Sequence, residues 1–102
     1  MYAVVARFDV RPGHEERFDA LAAWRIGEAA HEPGLVGYAV HRIDGEPQAR
    51  VFYEIYRDHA AFLEHRANVE TKRFGAEHVP YVTGPPRIEF LEVLHSAAGL
   101  AR

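Results

Sequence analysis

The sequence predicts an α+β domain in which helices cover one face of a four-stranded antiparallel sheet. Four segments alternate apolar and polar residues with the period of a strand, and a long segment between the first two carries apolar residues with helical spacing. The order is therefore strand, helix, strand, strand, two helical stretches, strand. This order is the split βαβ, or ferredoxin-like, arrangement.

Composition supports one small folded domain and excludes several classes of protein. A chain of 102 residues is too short for a second core, and 48% hydrophobic with 12% aromatic residues excludes disorder. A net charge of -3 leaves no basic stripe for nucleic acid. Because the chain has no cysteine, it has neither a disulfide framework nor a thiolate zinc site.

The first strand and the first helix supply most of the predicted core. Residues 2–10 form a strand with one apolar face, and Arg11-Pro12-Gly13 turns the chain. His14-Glu15-Glu16 follows and places two carboxylates in the first turn of a helix, which we expect to run to about His31. Arg25 falls within its apolar stripe and Trp24 lies at the edge, so either could reach a cavity. The stripe itself consists of Phe18, Leu21, Ala22, Ile26 and Ala29.

The middle of the chain predicts a hairpin followed by a capped helix. A strand over Leu35–Arg42 is joined through residues 44–47 to a strand over Arg50–Tyr56. Asp58 is placed to cap a short helix that ends near Asn68. A second helical stretch, Glu70–Val79, ends at Pro80, and Arg87–His95 is the last strand.

A pocket is predicted where the short helix crosses the third strand. Phe62 and His65 are three residues apart and share one helical face. Phe52, Glu54 and Tyr56 share one strand face that could lie beneath them. His65 is the candidate base because imidazole titrates near neutrality, and a hydrogen-bonded structural role is the alternative. Glu54 is expected to be paired with Arg25, with Arg87 or with a tyrosine hydroxyl, since an unpaired buried charge is costly.

The second face of the sheet is predicted to carry large apolar residues without cover. Tyr53, Ile55, Leu91 and Val93 would lie there, and such a patch favours a partner. No histidine spacing typical of a metal site occurs, and no nucleotide-binding motif occurs either. No secretory segment or membrane-spanning apolar run is evident, so we expect a cytoplasmic protein.

Several motifs match one known family in order and spacing. They are Tyr53-Glu54-x-Tyr56, Asp58, Ala61-Phe62 and His65, together with Arg11-Pro12-Gly13, Glu32-Pro33-Gly34 and Thr83-Gly84-Pro85-Pro86. This pattern resembles the antibiotic biosynthesis monooxygenase (ABM) family across nearly the whole chain. The resemblance implies a domain over residues 1–95, with a tail over residues 96–102. It also implies a homodimer whose sheets close into a dimeric α+β barrel.

The resemblance implies an oxygenase that needs neither metal nor flavin and oxidises a quinol or a polycyclic phenol-like molecule with O2. On this reading His65 is the base, Tyr56 and Arg25 hold the substrate anion, and aromatic side chains form the walls. The walls are Trp24, Phe52, Phe62 and Phe74.

The chain departs from particular branches of the family. The polar residues of the anthrone-oxidising branch are replaced by Phe52, Tyr56 and Phe62. The haem-degrading branch's ligand positions hold Ala6, His65 and Gly75, so haem is not expected. The overall pattern is similar to the branch that processes an autoinducer-2-derived sugar phosphate. Two alternatives therefore stay open: an isomerase or degradation enzyme for a small signalling metabolite, and a non-enzymatic dimeric ligand-binding module.

Overall fold

A computed structural model describes residues 1–97 and contains four strands and three α-helices within that range. In chain order the elements are β1 (Tyr2–Asp9), α1 (Glu15–Ala29), β2 (Leu35–Ile43), β3 (Glu46–Tyr56), α2 (His59–Ala67), α3 (Val69–Glu77), a 3-10 turn (Val79–Tyr81) and β4 (Arg87–Glu92). The strands pair antiparallel in the order β2-β3-β1-β4. The predicted ferredoxin-like fold is confirmed.

The core lies between the sheet and the helices, and the predicted apolar face of β1 is turned toward it. Val4, Ala6, Phe8 and Val10 are all buried. The same hydrophobic cluster contains buried residues of α1, α3 and β3. These residues are Phe18, Ala22, Phe74 and Phe52. Edge-to-face contacts among the rings fix how the helices lean on the sheet.

Several element boundaries differ from the sequence prediction. The hairpin turn is shorter than expected, because β3 already begins at Glu46 and Gly45 adopts a positive φ of 80° that suits glycine. The α3 helix ends at Glu77, and Pro80 lies in the 3-10 turn that follows. The last strand ends at Glu92 instead of His95. Of the predicted tail over residues 96–102, positions 98–102 lie outside the described residues.

The face of the sheet away from the helices is less exposed in the single chain than the sequence indicated. Tyr53 is 38% exposed, but Ile55 is only 4% exposed. The more exposed apolar residues of the sheet are Ile88 and Phe90, at 45% and 55%, on the helix side of the edge strand β4. No helix of residues 1–97 is long and apolar enough to span a membrane.

Candidate functional site

A cavity of about 180 Å³ lies between the helices and the sheet, beside the edge strand β4. Its walls are mostly aromatic and aliphatic, and several polar side chains enter from α1, α2, α3 and β3. The lining residues are Val4, Ala6, Phe8, Arg25, Tyr38, Phe52, Glu54, Phe62, His65, Arg66, Thr71, Phe74, Ile88 and Phe90. The lining includes Phe52, Glu54, Phe62 and His65 of the pocket predicted from the sequence, but not Tyr56.

The cap of α2 sets the direction in which His65 points. The Asp58 carboxylate accepts a hydrogen bond from the Ala61 backbone N–H at 2.8 Å, as an N-cap residue does. With the start of the helix fixed, Ala61, Phe62 and His65 form its buried face. His65 is 5% exposed and packs against the ring of Tyr56, with ring centroids 5.2 Å apart.

The loop after α1 brings a carboxylate to His65. Gly34 is buried, and a Cβ at this position would collide with the Cβ of Ala61, so only glycine lets the loop lie directly on α2. Glu32, two residues earlier, then reaches the next turn of α2. Its Oε1 lies 2.8 Å from Nδ1 of His65.

Contacts of the His65 ring indicate which nitrogen carries the proton. Nη2 of Arg25 is 2.8 Å from Nδ1 and 3.4 Å from Nε2, so it lies over the face of the ring. A hydrogen bond in the ring plane would place it much farther from Nε2. We therefore assign the in-plane bond to Nδ1–H donating to Glu32, which leaves Nε2 unprotonated and able to accept a proton.

Arg25 is the most buried charged residue at the site, with 1% exposure. Its Nη2 also donates to Glu32 at 3.1 Å and to the hydroxyl of Thr71 at 2.6 Å. Nε and Nη1 are buried without a hydrogen-bond partner within residues 1–97. Buried donors of this kind are costly, so a group that bound them would be strongly favoured.

A second carboxylate lies on the other side of His65. Glu54 is 8% exposed, and its Oε1 accepts a hydrogen bond from the Tyr56 hydroxyl at 2.6 Å and lies 3.7 Å from Nε2 of His65. Burial raises the pKa of the Glu54 carboxyl, while the Tyr56 hydrogen bond and Arg25 oppose that rise. Burial lowers the pKa of His65, and Glu32 partly offsets the effect. The imidazole is thus held in its basic form at neutral pH.

The structure brings together five of the seven side chains singled out in the sequence. His65, Arg25, Phe52, Phe62 and Phe74 line the cavity, although their roles toward a substrate stay predictions.

Two placements need correction. Trp24 is not part of the lining, because it faces α3, where the Arg73 guanidinium lies 4.2 Å from its ring centroid. Tyr56 is also outside the lining, because its hydroxyl is directed to Glu54 beneath the cavity floor. Of the partners expected for Glu54, which were Arg25, Arg87 or a tyrosine hydroxyl, the one hydrogen-bonded to it is therefore the tyrosine hydroxyl.

Three polar residues of the site were missed. Glu32 was noted only as part of a turn motif, and Thr71 and Arg66 were not considered. The Glu32-Pro33-Gly34 motif could have indicated the role of Glu32. Pro-Gly ends the helix and fixes the backbone there, and the side chain of the preceding acid is then free to reach the next helix. Thr71 depends on the angle between α2 and α3, which the sequence pattern does not give. Its hydroxyl donates to the His65 carbonyl at 2.7 Å.

Comparison with known families supports the resemblance seen in the motifs. Residues 1–77 match the model of the family described as antibiotic biosynthesis monooxygenase. The chain belongs to this family. The matched range contains α1, the hairpin, α2 and α3, and therefore nearly the whole cavity described above.

Related proteins show how widely this ABM fold is shared. The structure of Rv0793 from Mycobacterium tuberculosis is 28% identical, with 95% of this chain and 98% of that chain covered and a TM-score of 0.89. The structure of SO0527 from Shewanella oneidensis is 27% identical, with 88% and 87% covered and a TM-score of 0.81. The uncharacterized protein sll1783 of Synechocystis is 31% identical over 62 residues, which are 61% of this chain and 42% of that relative. The chain thus spans less than half the length of the Synechocystis protein.

Proposed function

We propose that this ABM-family chain is a monooxygenase that oxidises a quinol or phenol-like small molecule with O2 and uses no cofactor. The observation that carries the proposal is the arrangement of His65. Glu32 holds one ring nitrogen, the other is free to take a proton, and the imidazole opens onto a cavity walled mainly by apolar side chains. Such a site can form a substrate anion and keep it away from water.

The chemistry needs only the substrate and O2. Nε2 of His65 takes the phenolic proton, and the resulting anion transfers one electron to O2. The two radicals combine at a ring carbon to form a peroxide, whose O–O bond then breaks. The substrate gains one oxygen atom and loses two hydrogens, and the second oxygen atom leaves as water.

Arg25 is the group that we propose to stabilise the anion. Its guanidinium borders the cavity, so its positive charge lies close to a phenolate bound there. Tyr56 was expected to share this role. Its hydroxyl is already engaged by Glu54, so we now propose that it acts indirectly, by holding that carboxyl beside His65.

We also propose that two copies of the chain pair through the uncovered face of the sheet to form a dimeric α+β barrel. Tyr53 on β3 supports this, because it leaves a large ring partly exposed at the centre of that face. Light scattering of the purified chain would give twice the 11.6 kDa mass of one chain. A mass of one chain at micromolar concentration would contradict this proposal.

Oxygen uptake with a panel of quinols tests the proposed activity. His65→Ala should reduce the rate by at least about 100-fold, since a positioned general base contributes that much. His59→Ala is the matched control, because His59 lies on the same helix but is exposed. Equal rates in the wild type and His65→Ala would refute the role of His65. Oxygen uptake absent from the whole panel would refute the monooxygenase proposal.

One observation favours a second candidate, an isomerase or degradation enzyme for a small oxygenated metabolite. Arg66 is exposed and lines the cavity, with its guanidinium 5.5 Å from the Phe62 ring centroid, so the mouth carries a positive charge. Such a mouth suits a phosphorylated substrate. Turnover in the strict absence of O2 would favour this candidate, and ligand binding without any turnover would favour a binding module.

A further inference from the structure

We propose that the ligand is a single-ring compound with two neighbouring oxygen atoms, as in a catechol, and that both oxygens bind at one end of the cavity. The inference rests on the proposed function only for the statement that the ligand is a phenolic ring. Its basis is a cluster of neighbouring polar groups that border the cavity.

The polar groups that border the cavity interior are clustered. Arg25 lies against His65, and Glu54 is 3.7 Å from the same imidazole. Thr71 contacts Arg25, and the Tyr38 ring is 5.6 Å from that of His65. We call these five residues the polar end.

The remainder of the interior has no comparable partner within the described part of the chain. The rest of the lining is phenylalanine and aliphatic, and the rings of Phe8 and Phe74 pack against each other there. Arg66, Ile88 and Phe90 are exposed and mark the mouth. A hydroxyl directed at Phe8 and Phe74 would lose its water and meet hydrocarbon.

The polar end offers more hydrogen-bonding capacity than one oxygen can use. Nε2 of His65 accepts one O–H. Glu54, 3.7 Å from that nitrogen, adds a carboxyl whose second oxygen has no hydrogen bond from the described residues. Two adjacent hydroxyls can give one O–H to His65 and the other to Glu54. A single hydroxyl leaves one of these groups unmatched.

The cavity volume limits the ligand to about one ring. An apolar protein cavity of about 150 Å³ holds one benzene molecule. The present cavity is about 180 Å³, which accommodates a ring and two hydroxyls. A second fused ring would have to project through the mouth beside Phe90.

Calorimetric titration of the full chain without O2 tests this inference. Catechol, hydroquinone, resorcinol and phenol differ only in the number and spacing of hydroxyls. Catechol should bind at least about ten-fold more tightly than hydroquinone or phenol, because a misplaced or missing hydroxyl leaves a buried polar group unpaired. Equal affinities, tighter binding of hydroquinone, or no binding of catechol would overturn the inference.

Two variants locate the preference within the site. Glu54→Gln should reduce the ratio of catechol to phenol affinity several-fold, whereas Arg66→Gln at the mouth should leave the ratio unchanged. An unchanged ratio in Glu54→Gln would contradict the assignment of the second oxygen. These experiments distinguish failure of this inference from failure of the proposed function. Tight catechol binding without O2 uptake would refute the oxygenase. Equal O2 uptake with catechol and hydroquinone would refute only the preference for neighbouring oxygens.

Discussion

Two buried arginines lie at opposite ends of the helix-covered face, and they differ in how completely their donors are used. Arg50 on β3 is 3% exposed, and Asp19 accepts from its Nε and Nη2 at 2.7 and 3.1 Å. Its Nη1 donates to the carbonyls of Pro47 and Ala49. Arg25 is 1% exposed, and within residues 1–97 only its Nη2 is bonded.

The contrast separates a fully bonded structural cation from one that we propose to act on a bound anion through its charge. A guanidinium whose three nitrogens are all satisfied by its own chain joins elements together, as Arg50 joins α1 to β3. A guanidinium with two buried nitrogens left free carries a desolvation cost that its own chain does not offset in full.

The largest expected effect comes from removing the incompletely bonded cation. Arg25→Met should lower kcat/KM by about 100-fold or more, because a positive charge beside a developing anion contributes this much. The free energy of unfolding should also fall, since Glu32 loses its charged partner and Thr71 its donor, but the removal of two unmatched donors offsets part of the loss. Steady-state kinetics and urea denaturation measure the two quantities. A loss of stability without a loss of activity would reverse the comparison.

Arg50→Met should give the opposite pattern. We expect the free energy of unfolding to fall by about 3 kcal/mol, because the change breaks a buried charge pair and leaves two carbonyls without their donor. Asp19 is 43% exposed and can regain water, which keeps the loss at the low end. Folded protein should retain wild-type kcat/KM. A loss of stability smaller than that of Arg25→Met would contradict the distinction.

The fold and the apolar part of the site could be predicted from the sequence because they depend on local periodicity. The Asp58 cap, the shared face of Phe62 and His65, and Phe52 beneath them follow from positions along single elements. The partners of Arg25 could not be predicted in this way. They come from a loop and from α3, and their positions depend on how separate elements pack. Trp24 was misplaced for the same reason.

The close contact between the loop and α2 provides a smaller and separate test. Gly34→Ala should cost about 1–3 kcal/mol of stability, since the added methyl group collides with Ala61 and must push the loop from the helix. The same shift should move Glu32 from His65 and reduce activity.

Gly27→Ala is the matched control for this substitution. Gly27 lies in α1 with no atom within 4 Å of an added Cβ, so alanine should stabilise the chain by about 0.5–1 kcal/mol. Thermal or urea denaturation of both variants measures the difference. Equal effects of the two substitutions would show that the loop does not depend on close contact.

The smallest expected effect is a displacement of the pH profile. The pKa of His65 is lowered by burial, so kcat/KM should fall with decreasing pH about a midpoint below 6.5, the ordinary value. Glu32 raises that pKa, so Glu32→Gln should move the midpoint to still lower pH. The measurement is kcat/KM between pH 4.5 and 8, as an approximate working range. A midpoint that rises in Glu32→Gln would contradict the assigned contact.

The protonation state of His65 in the resting protein is the most direct test of the site. Nitrogen-15 spectra of the histidine side chains at pH 8, with His65 assigned by its loss in His65→Gln, distinguish a protonated from an unprotonated ring nitrogen. We predict a protonated Nδ1 and an unprotonated Nε2 in the wild type, and loss of this preference in Glu32→Gln. A protonated Nε2 in the wild type would contradict it, because that nitrogen could not then accept a proton from a substrate.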